Sequence, residues 1–176
     1  QASAIYGNRD GYAGIVKGVI YRTIQSEALL SQSQPHPPVI DISHEIAPQD
    51  IRQAAWVLAS CYRDFPENTI FVCVVDPKVG ESDQQGLLLY WPERHQYFIA
   101  PDNGLLTPII QAAGESLQAF VLENASLFRP CPDTGAISHT FHGRDVYARV
   151  AGHLASALIR YMGEEFLQTV GPRIAE

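Results

Sequence analysis

The sequence is short of basic residues. Twelve Lys and Arg stand against 19 Asp and Glu, which gives a formal net charge of −7. A protein that binds a nucleic-acid backbone needs a basic stripe to neutralise the phosphates. The charge balance therefore argues against nucleic acid as the main partner, and we expect none.

Cysteines and long apolar runs are also scarce. Cys61, Cys73 and Cys131 are an odd number without CxxC or Cys/His ligand spacing, so neither a disulfide framework nor a structural zinc site is supported. No apolar run approaches the ~18 residues that cross a membrane, and the first residues lack a basic and apolar signal pattern. These absences predict a protein of the reducing cytoplasm with no membrane partner.

What is present has the composition of a globular domain. Apolar residues make up 46% and charged residues 18% of the 176 residues, unlike a disordered chain. We expect one domain over residues 1–176. Strand-like runs alternate with helical spacing, which predicts an α/β fold with a mostly parallel sheet sandwiched by helices. The predicted strands cover residues 39–43, 70–75, 86–91, 96–100 and 118–122, and the predicted helices cover 50–63, 104–113 and 145–160.

The run over 70–75 is apolar at every position, as in a central strand with helices on both sides. In the helix predicted over 50–63, apolar residues recur at helical spacing, and we interpret Trp56 as a packing residue.

Polar clusters follow two predicted strands and precede the last helix. They cover residues 76–80, 100–104 and 140–145. Ligands of open α/β sheets bind beyond the carboxyl ends of the strands, where loops and helix N-termini meet. Each cluster alone also suits a turn or a helix cap, so only the combination favours a functional site.

The residues of the polar blocks, and the order of the blocks along the chain, resemble those of one protein family. IDISHEIAPQDI is followed by VVDPKVG, IAPDNGLLT and TFHGRD, after an opening YGNRDGYAG that starts at Tyr6. This series resembles the adenosine-forming S-adenosylmethionine hydrolases, also called S-adenosylmethionine hydroxide adenosyltransferases, whose relatives include fluorinating and chlorinating enzymes. The matching blocks run from about Ile5 to about His153.

The resemblance implies that water attacks the ribose 5′ carbon of S-adenosylmethionine and releases adenosine and methionine, with this nucleoside as substrate and no cofactor. The thioether leaves as a neutral group, so the site mainly has to align, desolvate and partly deprotonate one water. The family uses an Asp, an Arg and a His for this purpose, and the Asp and His correspond to Asp76 and His142.

Further site residues follow from the same resemblance. Asp10, Gln49, Phe141 and Gly143 are expected to line the substrate cavity. Gly143 stands where the fluorinating relatives have a Ser that contacts halide, which favours water over halide as the nucleophile.

The chain departs from the family at several points. Asp83 stands at the position of the family's Arg, which replaces a cation with five donors by an anion, so we expect weak or modified hydrolysis. Ile5 stands where the family's opening strand ends in Asp. The resemblance covers the family's N-terminal domain. It also implies a homotrimer in which a C-terminal β-barrel domain completes the pocket across the subunit interface.

Two other interpretations stay open. His139, His142 and Asp145 lie close in sequence and could bind a metal ion, but the segment before the last helix is expected to be extended, so we expect no metal site. Alternatively, the protein is a catalytically degenerate family member that acts as a nucleoside-binding or interaction protein. The Asp83 departure favours this alternative, whereas the retained Asp76 and His142 favour an active site.

Overall fold

A computed structural model of the chain describes residues 2–4, 11–28, 36–81, 84–130 and 134–174. Its strands are β1 (Ala2–Ala4), β2 (Ile70–Val74), β3 (Gly86–Trp91), β4 (Gln96–Pro101) and β5 (Gln118–Val121). Its α-helices are α1 (Tyr12–Ala28), α2 (Ile51–Cys61), α3 (Thr107–Ala113), α4 (Ala148–Ile159) and α5 (Gly163–Leu167). A π-helical turn, Gly143–Tyr147, leads directly into α4.

The five strands form one mixed sheet in the order β1-β2-β4-β3-β5. The prediction of an α/β fold is confirmed, but the prediction of a mostly parallel sheet is wrong. β1, β2 and β4 are parallel, whereas β3 is antiparallel to both β4 and β5. Only residues 92–95 connect β3 to β4, and so short a connection permits a hairpin but not a parallel crossover.

Helices cover both faces of the sheet, as the apolar run in β2 predicts. Val72 and Val74 point into a core that also contains residues of α1 and α4. Phe71 and Cys73 point to the opposite face, into a core with residues of α2 and α3. The alternation of side chains along a strand therefore explains why β2 is apolar throughout.

Three sequence interpretations need correction. Residues 39–43 are not a strand, because Asp41 bonds with Lys17 and His44 and the Val39 N–H donates to the Tyr21 hydroxyl. The helix predicted from residue 104 starts later, because Gly104 has a φ of +90°. Trp56 is not a packing residue, since it is 70% exposed on α2.

The fold brings the ends of β2 and β4 to one edge of the sheet. Asp76 follows β2, and Asn103 follows the parallel neighbour β4. The amide of Asn103 donates to the Val75 carbonyl at 2.7 Å, and its own side-chain oxygen accepts from the Leu105 N–H at 3.2 Å. Asn103 therefore connects the two strand ends, next to Asp76.

Candidate active site at the carboxyl edge of the sheet

Asp76 is a buried carboxylate at the end of β2. It is 5% exposed, and neither of its oxygens makes a hydrogen bond of good geometry with another described residue. Burial raises the pKa of Asp76, while the neighbouring His142, the Lys78 N–H and the Tyr147 hydroxyl act in the opposite direction. Buried acceptors of this kind are normally satisfied by a partner, a bound water or a ligand.

His142 lies beside Asp76, at the start of the π-helical turn. Its ring is half-buried, and burial lowers the pKa of His142 although the Asp76 and Asp145 charges raise it. The nearby His139 lowers that pKa further. A lowered pKa keeps the imidazole neutral near pH 7, so one ring nitrogen can accept a proton.

Asp145 fixes the turn that carries His142. Its buried carboxylate accepts from the Arg144 Nε at 2.6 Å, from the Arg144 Nη2 at 2.7 Å and from the Arg129 Nη1 at 3.3 Å. The Arg129 N–H also donates to the Asp145 carbonyl at 2.8 Å. Although burial raises the pKa of Asp145, the hydrogen bonds from Arg144 and Arg129 and their charges hold it below its usual value.

Close backbone packing brings the loop after β2 against the segment before His142. Gly80 has a φ of +86°, and a Cβ atom at this position would lie 2.1 Å from the His139 carbonyl oxygen. No side chain fits there without moving one of the two segments. Glycine at position 80 is therefore needed both for its backbone conformation and for the approach.

Tyr147 is a site residue that the sequence analysis missed. Its ring is 1% exposed, and a Cβ atom on Gly86 would lie 2.9 Å from the ring. Burial raises the pKa of Tyr147 and the adjacent Asp76 raises it further, so the hydroxyl stays protonated and faces a carboxylate. No motif in the sequence marks this residue, which lies within the helix predicted over 145–160.

A groove runs along α2 and the loop after β4, and it reaches the end of β2 through Asn103, which bonds to the Val75 carbonyl; Asp76, His142 and Tyr147 are not among its lining residues. Gln49, Trp56, Asn103 and Gly104 are among its lining residues, and its volume is about 830 Å³. Gln49 is exposed and has a positive φ of 66°, which directs the chain into the start of α2. The groove thus combines amide groups with the exposed face of an indole ring.

The other predicted site residues have different positions. Phe141 is buried in the core on the α1 side, with its ring 5.0 Å from the ring of Tyr12. Gly143 faces Phe141 and Val74, and an added Cβ atom would lie at least 3.6 Å from both. Asp10 and Asp83 lie outside the described residues.

The described parts of the chain contain neither a metal-binding group nor a membrane-spanning helix. Those parts hold no group of three His, Cys, Asp or Glu side chains placed to bind one metal ion. Nor does any helix among them combine the length and the apolar character required to span a membrane.

Comparison with known proteins adds to this geometry. The profile of the SAM hydroxide adenosyltransferase N-terminal domain family matches residues 5–161. The chain belongs to this family. The match includes the loop of Asp76, the turn of His142 and the start of α2.

Individual members of the SAM hydroxide adenosyltransferase family show the same relationship. The chain is 35% identical to a protein of Thermus thermophilus named (R)-S-adenosyl-L-methionine hydrolase, over 87% of this chain and 55% of the relative. A protein of the same name from Methanocaldococcus jannaschii is 34% identical over 94% of this chain and 56% of the relative. A fluorinase of an Actinoplanes species is 26% identical over 75% of this chain and 49% of the relative.

A solved structure supports the fold assignment. The crystal structure of an uncharacterized conserved protein from Thermotoga maritima aligns with a TM-score of 0.79 and 35% identity, over 99% of this chain and 58% of that chain. The present chain therefore spans about half the length of the relatives that it matches.

Proposed function

We propose that this protein hydrolyses S-adenosylmethionine to adenosine and methionine by attack of water on the ribose 5′ carbon. The single observation that carries the proposal is the juxtaposition of buried Asp76 with half-buried His142, in a member of the SAM hydroxide adenosyltransferase family. Relatives that share 34–35% identity with the chain bear the name of this activity.

The proposed step forms one bond and breaks one. The water oxygen bonds to C5′ while the C5′–S bond breaks, and its electron pair stays on the sulfur of methionine. The sulfonium substrate thereby loses its positive charge, so the leaving group needs no acid. The water proton passes to the neutral imidazole of His142, and the Asp76 carboxylate stabilises the resulting imidazolium.

Tyr147 takes a positioning role in this proposal. The family's Arg is replaced in this sequence by Asp83, so the usual cation does not orient the catalytic carboxylate. The Tyr147 hydroxyl, buried beside Asp76, is the neutral group that takes the place of this cation, and it acts to lower the pKa of the carboxyl group without a hydrogen bond of good geometry. A neutral donor stabilises an ionised carboxylate less than a guanidinium does, which is consistent with slow turnover.

The adjoining groove is suited to the nucleoside part of the substrate. Its volume of about 830 Å³ lies in the range of small-molecule sites. Trp56 offers an exposed ring for stacking with a base, while Gln49 and Asn103 offer amide groups for its polar edge. The Gly143 position has room for a small side chain but offers no hydroxyl group to a halide.

We also propose, by resemblance to the family, a cytoplasmic homotrimer that works without a cofactor or metal ion, has no nucleic-acid or membrane partner, and contributes this region as its N-terminal domain. The net charge of −7 supports the absence of a nucleic-acid partner.

A specific observation also favours the second candidate, a degenerate nucleoside-binding protein. Asp83 adds a negative charge where the family has a positive one. This candidate predicts that adenosine or S-adenosylmethionine binds, with exposed Trp56 in contact, and that no adenosine is released.

The test is chromatographic measurement of adenosine release from S-adenosylmethionine at pH 8. We expect His142→Ala to lower kcat/KM by about 10²–10⁴-fold, the usual contribution of a general base. His139→Ala is the matched control, because it removes an exposed histidine three residues away and should change the rate by less than about threefold. Equal rates for the two variants would contradict the proposal, and binding without release by the native protein would favour the degenerate alternative.

A further inference from the structure

Four of the ten arginines of this acidic chain line one groove between α1 and α4. Arg22 lies on α1, Arg129 on the segment after β5, Arg144 on the π-helical turn and Arg149 on α4. The groove has a volume of about 640 Å³. In a protein with 19 acidic and 12 basic residues, such a concentration of one charge requires an explanation.

Among the described residues, one carboxylate, that of Asp145, accounts for part of this charge. Asp145 pairs with Arg144 and Arg129, whereas Arg22 and Arg149 have no salt bridge to a carboxylate among the described residues. Glu27 lies nearby on α1, but it pairs with His153 at 3.2 Å and with Arg160 at 3.6 Å. The groove therefore retains a positive charge within the described part of the chain.

Arg149, which lines the groove, has one donor atom that no described residue uses. Its Nη1 donates to the Thr23 hydroxyl at 2.9 Å, whereas its Nε is buried without a partner among the described residues. Burial lowers the pKa of Arg149, Glu27 raises it, and the charges of Arg129 and Arg22 lower it again. These arginines are thus close enough to repel one another, and an anion between them would relieve the repulsion.

We propose that this groove binds the phosphate groups of a small molecule. Guanidinium groups match phosphate geometry with paired N–H donors and remain charged at every physiological pH. A phosphate group carries up to two charges and three acceptor oxygens, which suits several arginines better than a single carboxylate would.

The rest of the groove indicates what carries the phosphate. Ile15, Gly18 and Val19 of α1 form an apolar wall beside the arginines, and Ile15 is 44% exposed. Such a wall would contact the organic part of a phosphate ester and would add nothing to the binding of inorganic phosphate or pyrophosphate. Phosphate esters and inorganic phosphates offer the same acceptor oxygens to the arginines. Only a phosphate ester has an organic part that can contact the apolar wall.

The groove is separate from the proposed reaction but lies close to it. Arg144 follows His142 by two residues and stacks over Phe141, with its guanidinium carbon 4.9 Å from the ring centre. The inference does not depend on the proposed hydrolysis, because it concerns binding of a second molecule by different side chains.

Isothermal titration calorimetry of the full protein with pyrophosphate and ATP, at constant ionic strength set by sodium chloride, tests the inference. We expect both compounds to bind the native protein, and Arg22→Gln to raise each Kd about tenfold, as expected for loss of one charge-assisted hydrogen bond. Arg173→Gln is the matched control, since it removes the same charge outside the groove and should leave each Kd unchanged.

A second variant distinguishes the two sources of phosphate. If a phosphate ester is the ligand, Ile15→Ser weakens ATP binding and leaves pyrophosphate binding unchanged. If inorganic phosphate chemistry alone is recognised, Ile15→Ser changes neither. The proposal is overturned if neither compound binds the native protein, or if Arg22→Gln and Arg173→Gln have equal effects.

Discussion

Asp76 combines two properties that oppose each other. Burial without a good partner destabilises its charged form, whereas the proposed reaction needs that charge beside His142. The charged form of Asp76 thus lowers the folding stability of the protein at the position of the proposed reaction, a pattern common in active sites. A substitution that removes the charge should therefore separate the two properties.

We expect Asp76→Asn to stabilise the protein at pH 7 by about 1 kcal/mol, or roughly 2–4 °C in Tm, while it abolishes adenosine release. The pKa of Asp76 is raised in the folded state, so its stabilising contribution is present below pH 3.8 and is lost as the pH rises through the folded pKa. The stabilisation of the protein by Asp76→Asn should accordingly disappear below pH 3.8.

Thermal unfolding at pH 7 and pH 3 measures this effect. Asp102→Asn serves as the control, because Asp102 is exposed in the neighbouring loop and should change stability by less than about 0.5 kcal/mol. A less stable Asp76→Asn protein at pH 7 would mean that the carboxylate is satisfied in the native state.

The proposed role of His142 as the general base predicts how the rate depends on pH. The imidazole accepts a proton only when neutral, and its pKa lies below the usual 6.5. The value of kcat/KM should therefore stay level from pH 8 to below pH 6.5 and then fall as the imidazole becomes protonated.

His139 provides the control for this pH prediction. Its charge lowers the pKa of His142, so His139→Ala should move the acid limb to higher pH without changing the plateau. An acid limb that does not move, or that moves to lower pH, would exclude His142 as the titrating group.

At the scale of single residues, the sequence was informative where a family motif exists. The DP and FHG blocks predict a shared role for Asp76 and His142. In the structure the charge of each residue affects the pKa of the other, and their shared role stays a prediction. Tyr147 and Trp56 belong to no such motif: the aromatic character of Trp56 led to its interpretation as a packing residue, and Tyr147 received no role. Only the three-dimensional structure distinguishes a buried hydroxyl beside a carboxylate from an exposed indole.

Two loops must stay in contact for the site to form, and Gly80 permits that contact. We expect Gly80→Ala to lower the rate of adenosine release at least about tenfold, because the methyl group displaces the His139 carbonyl and with it the segment before His142.

Gly114→Ala is the matched variant for this prediction. Gly114 also has a positive φ, of 59°, but an added Cβ atom there meets nothing within 4 Å. Gly114→Ala should lower the stability by about 1 kcal/mol because of backbone strain, and it should leave the rate of adenosine release unchanged. Equal rates for the two alanine variants, each measured on folded protein, would contradict the role of the loop contact.

At the scale of elements, the sequence predicts most helices and strands but not their relative directions. The runs in β2, β3, β4 and β5 are apolar enough to be located within one or two residues. Direction depends on the short connection over 92–95, which turns β3 against β4. The segment 39–43 has the composition of a strand, yet hydrogen bonds to α1 hold it outside the sheet.

The whole molecule places two polar sites around one structural turn. The turn Gly143–Tyr147 carries His142 at its start, Tyr147 at its end, and Arg144 toward the arginine groove. The buried carboxylate of Asp145, which pairs with Arg144 and with Arg129, holds it in place. The region is the N-terminal part of the family's architecture, and it contains the proposed base within a chain about half as long as the relatives.

The measurement that tests the central claim most directly is the mass spectrum of adenosine formed from S-adenosylmethionine in ¹⁸O-labelled water. Attack of water on C5′ predicts that the native protein releases adenosine with one ¹⁸O atom in its 5′-hydroxyl group, and that Asp76→Asn releases none above a heat-killed control. Adenosine without the label, or labelled adenosine formed equally well by Asp76→Asn, would contradict the account.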